Sequence, residues 1–121
     1  MSKPQKNPER EDRIDMEVVV DAHDEDERVM GWYYYLDDKI QFPFQAKCIE
    51  KRRSSPLGLG KTVKVLSMCA EESERDMLVE IEWEGDRLAV PLGQLKPVKA
   101  DDDTEEAVAD WHYWIEQGYS F

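Results

Sequence analysis

Residues 28–48 read RVMGWYYYLDDKIQFPFQAKC, and the rest of the fold can be worked out from them. Val29, Trp32, Tyr33, Leu36 and Ile40 recur at the i, i+3, i+4, i+7 spacing of one apolar helical face. Asp24, followed three residues later by Glu27, has the pattern of a capping box, so the helix starts there and ends near Asp38. Pro43 is disfavoured inside a helix, and Phe44, Ala46 and Cys48 then alternate with Gln45 and Lys47 as in a strand. Asp37 and Asp38 are thereby placed side by side at a helix-to-strand corner.

Downstream, residues 54–60 form a Ser-, Pro- and Gly-rich loop before a strand over residues 62–66, which makes a hairpin with the first strand. Pairing Arg52 with Lys61 across that loop sets Phe44 opposite Cys69. Residues 77–83 and 87–91, joined by Glu84-Gly85-Asp86, make a second hairpin. Residues 91–98 resemble the short helical turn and last strand that close small SH3-like barrels. In the C-terminal segment Asp103 and Glu106 give a second capping box, Gly118 is a natural stop, and Ala107, Trp111, Trp114 and Ile115 line one apolar face. Upstream, Asn7 as N-cap with Pro8 at the first helical position opens a helix to about Ala22, although Ile14, Met16, Val18 and Val20 also alternate as in a strand. The expected fold is α+β: a small SH3-like antiparallel β-barrel preceded by an N-terminal helical segment and followed by a C-terminal helix. Residues 1–7 read as a disordered tail and 8–121 as a single domain.

The composition bounds the function. The 121 residues carry 28 acidic against 16 basic side chains, a formal net charge of -12. That excess repels nucleic acid phosphates and anionic membrane surfaces, and favours a cation or a basic protein on the acidic face. Acids concentrate in residues 9–27 and again at Asp101, Asp102, Asp103, Glu105 and Glu106. The bases gather at Lys47, Lys51, Arg52, Arg53, Lys61 and Lys64. Only two cysteines occur, Cys48 and Cys69, each in an apolar run, with no secretory signal ahead of them. No window approaches the roughly 18 consecutive apolar residues of a membrane helix. These features point to a reducing cytoplasm and a soluble chain; a monomer is expected, with Trp111 and Trp114 open to packing within one chain or between two.

The adjacent carboxylates at the corner invite a hard cation. Calcium takes six to eight oxygens, chiefly carboxylates and backbone carbonyls, and a helix C-terminus adds unpaired carbonyls with partial negative charge. Two carboxylates about 4 Å apart repel by about 4 kcal/mol at an effective dielectric near 20, and a bound cation relieves that. The assumed hairpin register brings Glu71, Glu72 and Glu74 near the same corner, so the candidate metal ligands are Asp38, Asp37, Glu71, Glu72 and Glu74. An EF-hand is excluded: from Asp24 the sixth position is Val29, and from Asp101 it is Glu106, where glycine is required. Enzymatic readings find no support. His23 and His112 are the only histidines, neither pairs in sequence with a nucleophile, and CxxC, HExxH and the P-loop are absent.

Asp21-Ala22, Gly31-Trp32-Tyr33-Tyr34-Tyr35-Leu36 and Phe42-Pro43-Phe44-Gln45-Ala46-Lys47-Cys48 together resemble the small acidic calcium-binding protein family of heterocyst-forming cyanobacteria and other bacteria. The likeness runs from about Arg13 to Val98. It implies a non-EF-hand protein that binds Ca2+ through surface carboxylates as an intracellular calcium buffer or sequestering protein, and it places the family's pivotal aspartate on Asp38. Two other readings stand beside it: an SH3-like interaction module whose basic hairpin (Lys51, Arg52, Arg53, Lys61) or acidic face holds a protein partner, and an acidic protein whose charge mimics nucleic acid.

Overall fold

A computed structural model of the chain describes residues 7–19, 24–53, 55–69 and 77–117. In order these form α1 (Pro8–Arg13), a π-helical turn (Ile14–Val18), α2 (Glu25–Lys39), β1 (Phe44–Cys48), β2 (Thr62–Met68), β3 (Leu78–Trp83), β4 (Asp86–Pro91), a 3-10 turn (Leu92–Gln94), β5 (Leu95–Lys99) and α3 (Asp102–Glu116). The architecture is α+β, with an antiparallel sheet in the order β4-β3-β2-β1-β5. The 3-10 turn and final strand occur where the sequence suggests them. The sheet is nevertheless open rather than closed into the expected SH3-like barrel, because β5 pairs with β1 and no ladder joins it to β4. Helices take over the covering role: α3 packs on α2, the 3-10 turn and β5. Trp32, Leu36, Trp111 and Trp114 from the helices join Phe44, Val65, Ile81, Val90 and Leu95 from the strands in one buried cluster.

The first hairpin corrects the expected register by four residues. Phe44 stands opposite Val65, not Cys69, and Lys47 opposite Thr62. The cause is an asymmetric loop: Cys48 N–H donates to the Lys61 carbonyl at 2.8 Å and Gly60 N–H to the Cys48 carbonyl at 2.9 Å, so the connection begins at Ile49. In the second hairpin the turn is two residues, Glu84 (φ 50°) and Gly85 (φ 83°), and Asp86 already pairs with Trp83. Positive φ at both central positions is the type I′ signature whose twist suits adjoining strands.

The N-terminal helix is shorter than the pattern suggests. Asn7 caps it, its side chain accepting from Arg10 N–H at 3.1 Å with Pro8 in the first turn. The helix then widens into the π-turn and ends at Val18, with Ile14 and Val18 buried. Ala22 lies outside the described residues, as do residues 1–6, His23 and Gly118. Gly31 explains how closely α2 approaches this segment: a Cβ there would fall 2.3 Å from the Val18 carbonyl oxygen. In α2, Asp24 accepts from Glu27 N–H at 2.9 Å, and Trp32, Tyr35, Leu36 and Ile40 are buried. Tyr35 extends the apolar face beyond the residues named from spacing. At α3 the cap is Asp101, which accepts from Thr104 N–H at 3.1 Å, two residues before the expected Asp103.

Candidate metal centre

The corner after α2 is held by a hydrogen-bond exchange. Ile40 N–H donates to the Leu36 carbonyl at 3.0 Å, the last helical rung. Gln41 N–H, which a continuing helix would aim at the Asp37 carbonyl, donates instead to Thr104 Oγ1 at 2.8 Å. Pro43 has no N–H to offer the Lys39 carbonyl. The final carbonyls of α2 thus lack the donors of a continuing helix and gather partial negative charge.

Asp37 and Asp38 lie in this last turn, both exposed, and among the described residues neither carboxylate has a hydrogen-bond or ion-pair partner. The one cation beside them in sequence is drawn away. Lys39 Nζ reaches Glu106 Oε2 at 2.8 Å and the Tyr35 hydroxyl at 3.3 Å, on the side of α3. Burial works against the Lys39 charge, but these bonds outweigh it and raise its pKa. Two carboxylates at the negative end of a helix are therefore left without a counter-charge among the described residues. Because both are exposed, their mutual repulsion falls towards the aqueous value of about 1 kcal/mol at 4 Å.

Tyr33 links this corner to the end of β2. Burial, then the charge of Asp37, then Tyr34 and Cys69 push the Tyr33 phenol above its ordinary pKa. Asp37 and Cys69 are thus within electrostatic reach of one ring. Glu71, Glu72 and Glu74, the other expected ligands, lie outside the described residues, and the register that placed them near Asp37 does not hold. Among the described residues no three His, Cys, Asp or Glu side chains converge as a ligand set. The corner's donors are two carboxylates and helix-end carbonyls, all hard oxygens, which fits calcium and not a soft metal.

The other acidic runs are differently employed. Asp24 and Asp101 cap helices, and Glu106 binds Lys39 and, through Oε1, Arg13 Nη1 at 3.1 Å. The fully buried Asp110 is a carboxylate that spacing did not single out. It accepts from Arg10 Nη1 at 2.8 Å, Arg13 Nη2 at 2.7 Å, Arg13 Nε at 3.0 Å and the Tyr35 hydroxyl at 2.6 Å. The Asp110 bond raises the Arg13 pKa despite burial, while burial followed by the bond to Asp110 pushes Tyr35 up to about 12. This cluster fastens α1, α2 and α3 together and keeps Lys39 turned from the corner.

The basic hairpin is also rearranged. Arg52 Nε binds Glu50 Oε1 at 3.0 Å, and Lys61 Nζ sits 5.9 Å from the Trp83 ring centroid. Cys48 and Cys69 are free thiols. His112 Nε2 lies 2.7 Å from the Leu95 carbonyl, tying α3 to β5. No described helix is long and apolar enough to cross a membrane.

Comparison with known proteins adds the family. A family model described as calcium binding, Calci_bind_CcbP, matches residues 12–115. The crystal structure of Anabaena CcbP is similar over all of both chains, at 45% identity and a TM-score of 0.86. A structure described as a calcium binding protein in the calcium-binding form is similar over the same extent, at 44% identity and a TM-score of 0.83. No curated protein matches the chain.

Proposed function

This chain belongs to the calcium-binding CcbP family, and on that premise we propose that it binds Ca2+ at the corner after α2, with Asp38 and Asp37 as carboxylate ligands. The observation that carries the reading is the electrostatic state of this corner. Two exposed carboxylates lie at a helix C-terminus while the adjacent Lys39 is committed to Glu106. A divalent cation offsets both the carboxylate repulsion and the unfavourable placement of acids at the negative helix end.

Asp37, Asp38 and the nearby carbonyls are too few to fill a calcium shell of six to eight oxygens. Cys69, where the chain leaves β2, and Asp37 both act on the charge of the Tyr33 phenol. We assign the remaining carboxylates to Glu71, Glu72 and Glu74 on the segment after Cys69, with water completing the shell.

The role we propose is that of an intracellular calcium buffer rather than a sensor or an enzyme. Sensors open a packed helix pair when calcium arrives. Here the α2 end is pinned by Gln41 to Thr104 and by Lys39 to Glu106, bonds that do not involve the proposed ligands. The free thiols of Cys48 and Cys69 support a cytoplasmic location. The test is calorimetric titration of metal-free protein with calcium, in magnesium-containing buffer at physiological salt. Saturable binding at micromolar calcium or below, lost in Asp38→Ala with unchanged circular dichroism, is the expected result. Unchanged affinity in that variant overturns the assignment of Asp38, and weak, salt-screened uptake by the wild type overturns the calcium reading itself.

A further inference from the structure

We infer that the outer face of the sheet across β2, β1 and β5 is a docking surface for a short acidic segment of a partner protein. Lys47 of β1 stands directly opposite Lys96 of β5, and Gln45 lies between Lys64 of β2 and Lys99 of β5. All four lysines are exposed. Among the described residues none of their side chains has a hydrogen bond or an ion pair. Like charges placed directly across a ladder destabilise a sheet, so this arrangement costs stability in a chain that has 28 acids from which to draw partners.

Protection of a sheet edge accounts for part of the pattern. Lys96, Pro97 and Lys99 on the edge strand β5 discourage pairing with another chain. It does not account for Lys47 and Lys64, which lie on the interior strands β1 and β2. Between the lysines stand Gln45 and Thr62, both exposed, which can donate hydrogen bonds to carboxylates or backbone carbonyls. Glu82 and Glu84 line a depression with Lys64 and Thr62, and Glu105 and Glu116 line a groove with Lys96, but among the described residues none of these acids forms an ion pair with the lysines.

The size of the patch selects its occupant. Three strands about 4.8 Å apart and two outward residues about 7 Å apart along each strand give a footprint of roughly 10 by 7 Å. Three or four residues of extended chain cover that area. Beyond it the net charge of -12 takes over, and at physiological salt charges are felt over a Debye length of about 8 Å. A short run of Asp or Glu laid over the lysines therefore meets mainly positive charge, whereas a nucleic acid or anionic bilayer extends further into the surrounding acids and is repelled.

The inference is independent of the calcium site and is tested with calcium chelated. A fluorescently labelled hexaglutamate peptide is titrated with the protein and followed by anisotropy. We expect saturable binding that weakens with salt and falls by at least about fivefold in Lys47→Glu. Arg87→Glu makes the same change in net charge on the opposite edge strand β4 and leaves binding within about twofold. Calcium titration of Lys47→Glu, expected to match the wild type, shows that the variant is folded and separates this surface from the metal centre. The inference is overturned if the wild type does not bind the peptide or if both variants weaken it equally. Tighter binding of an oligodeoxythymidine or of phosphatidylserine vesicles than of the peptide also overturns it.

Discussion

The hydroxyl of Tyr35 and the carboxylate of Asp110 meet at 2.6 Å in the interior between α2 and α3. Asp110 is wholly buried, so its charge is tolerable only because Arg10, Arg13 and Tyr35 surround it. Removing the carboxylate strands the partners instead. Asp110→Ala is expected to cost about 3–5 kcal/mol, read from urea unfolding, and a loss below about 1 kcal/mol would show that the cluster is structurally idle.

The same contact sets a pH dependence. Tyr35 is held at about 12 in the folded chain, against about 10 when unfolded. A raised pKa stabilises the fold while the phenol is protonated in both states. That stability is complete below about pH 10 and drains away as pH climbs to about 12. Tyr35→Phe should flatten the decline over this window, measured as the melting temperature at successive pH values relative to wild type.

Gly31 admits no side chain. A Cβ would meet the Val18 carbonyl at 2.3 Å, so Gly31→Ala must push α2 away from the π-turn. Alanine otherwise favours helices, and a stabilising outcome would contradict the packing seen. The expected result is a loss of about 1–3 kcal/mol by chemical denaturation.

Thr104 governs the corner at one remove from the carboxylates. Thr104→Val preserves shape but deprives Gln41 N–H of its acceptor. Stability should fall by about 1–3 kcal/mol, and Gln41 amide exchange should accelerate relative to Ile40. Equal protection of both amides would mean that Gln41 has found another partner.

Asp37→Asn with Asp38→Asn removes acids from the negative end of α2. In metal-free, low-salt buffer the double variant should be more stable than wild type by about 0.3–1 kcal/mol for each acid removed. With calcium in excess the order should reverse, because only the wild type gains from ligand binding. A melting series with chelator and with calcium distinguishes the two regimes.

Much of the fold is legible in the sequence itself. The α2 period, its stop before Pro43 and the alternation of β1 emerge from residues 28–48 because local pattern and tertiary burial agree there. The hairpin register was not legible, since it depends on Cys48 bonding Lys61 and Gly60 across a loop whose length the chain disguises. Barrel closure failed for a related reason: the last strand is legible in the sequence, whereas its pairing with β1 alone is a tertiary fact, and the helices that cover an open sheet announce only their own apolar faces. Asp110 did leave a signal. It sits three residues after Ala107 and four before Trp114, a carboxylate on the apolar stripe of α3, and such a residue demands buried partners. Arg10 and Arg13, three apart on α1, could then have been nominated to meet it. The corner carboxylates stood out from adjacency alone, but the inward turn of Lys39 that leaves them uncompensated is a tertiary fact.

The clasp around Asp110 also decides how the chain bears tension. Asn7 N–H donates to the Tyr113 hydroxyl at 3.0 Å, and Arg10 and Arg13 grip Asp110 beside it. Segments about a hundred residues apart are thus riveted side by side. If the molecule is pulled by residues 7 and 117, the load falls first on this helical rivet, and the sheet carries no force until it gives. The expected force trace has an early rupture that Asp110→Ala erases, followed by unzipping of the strands.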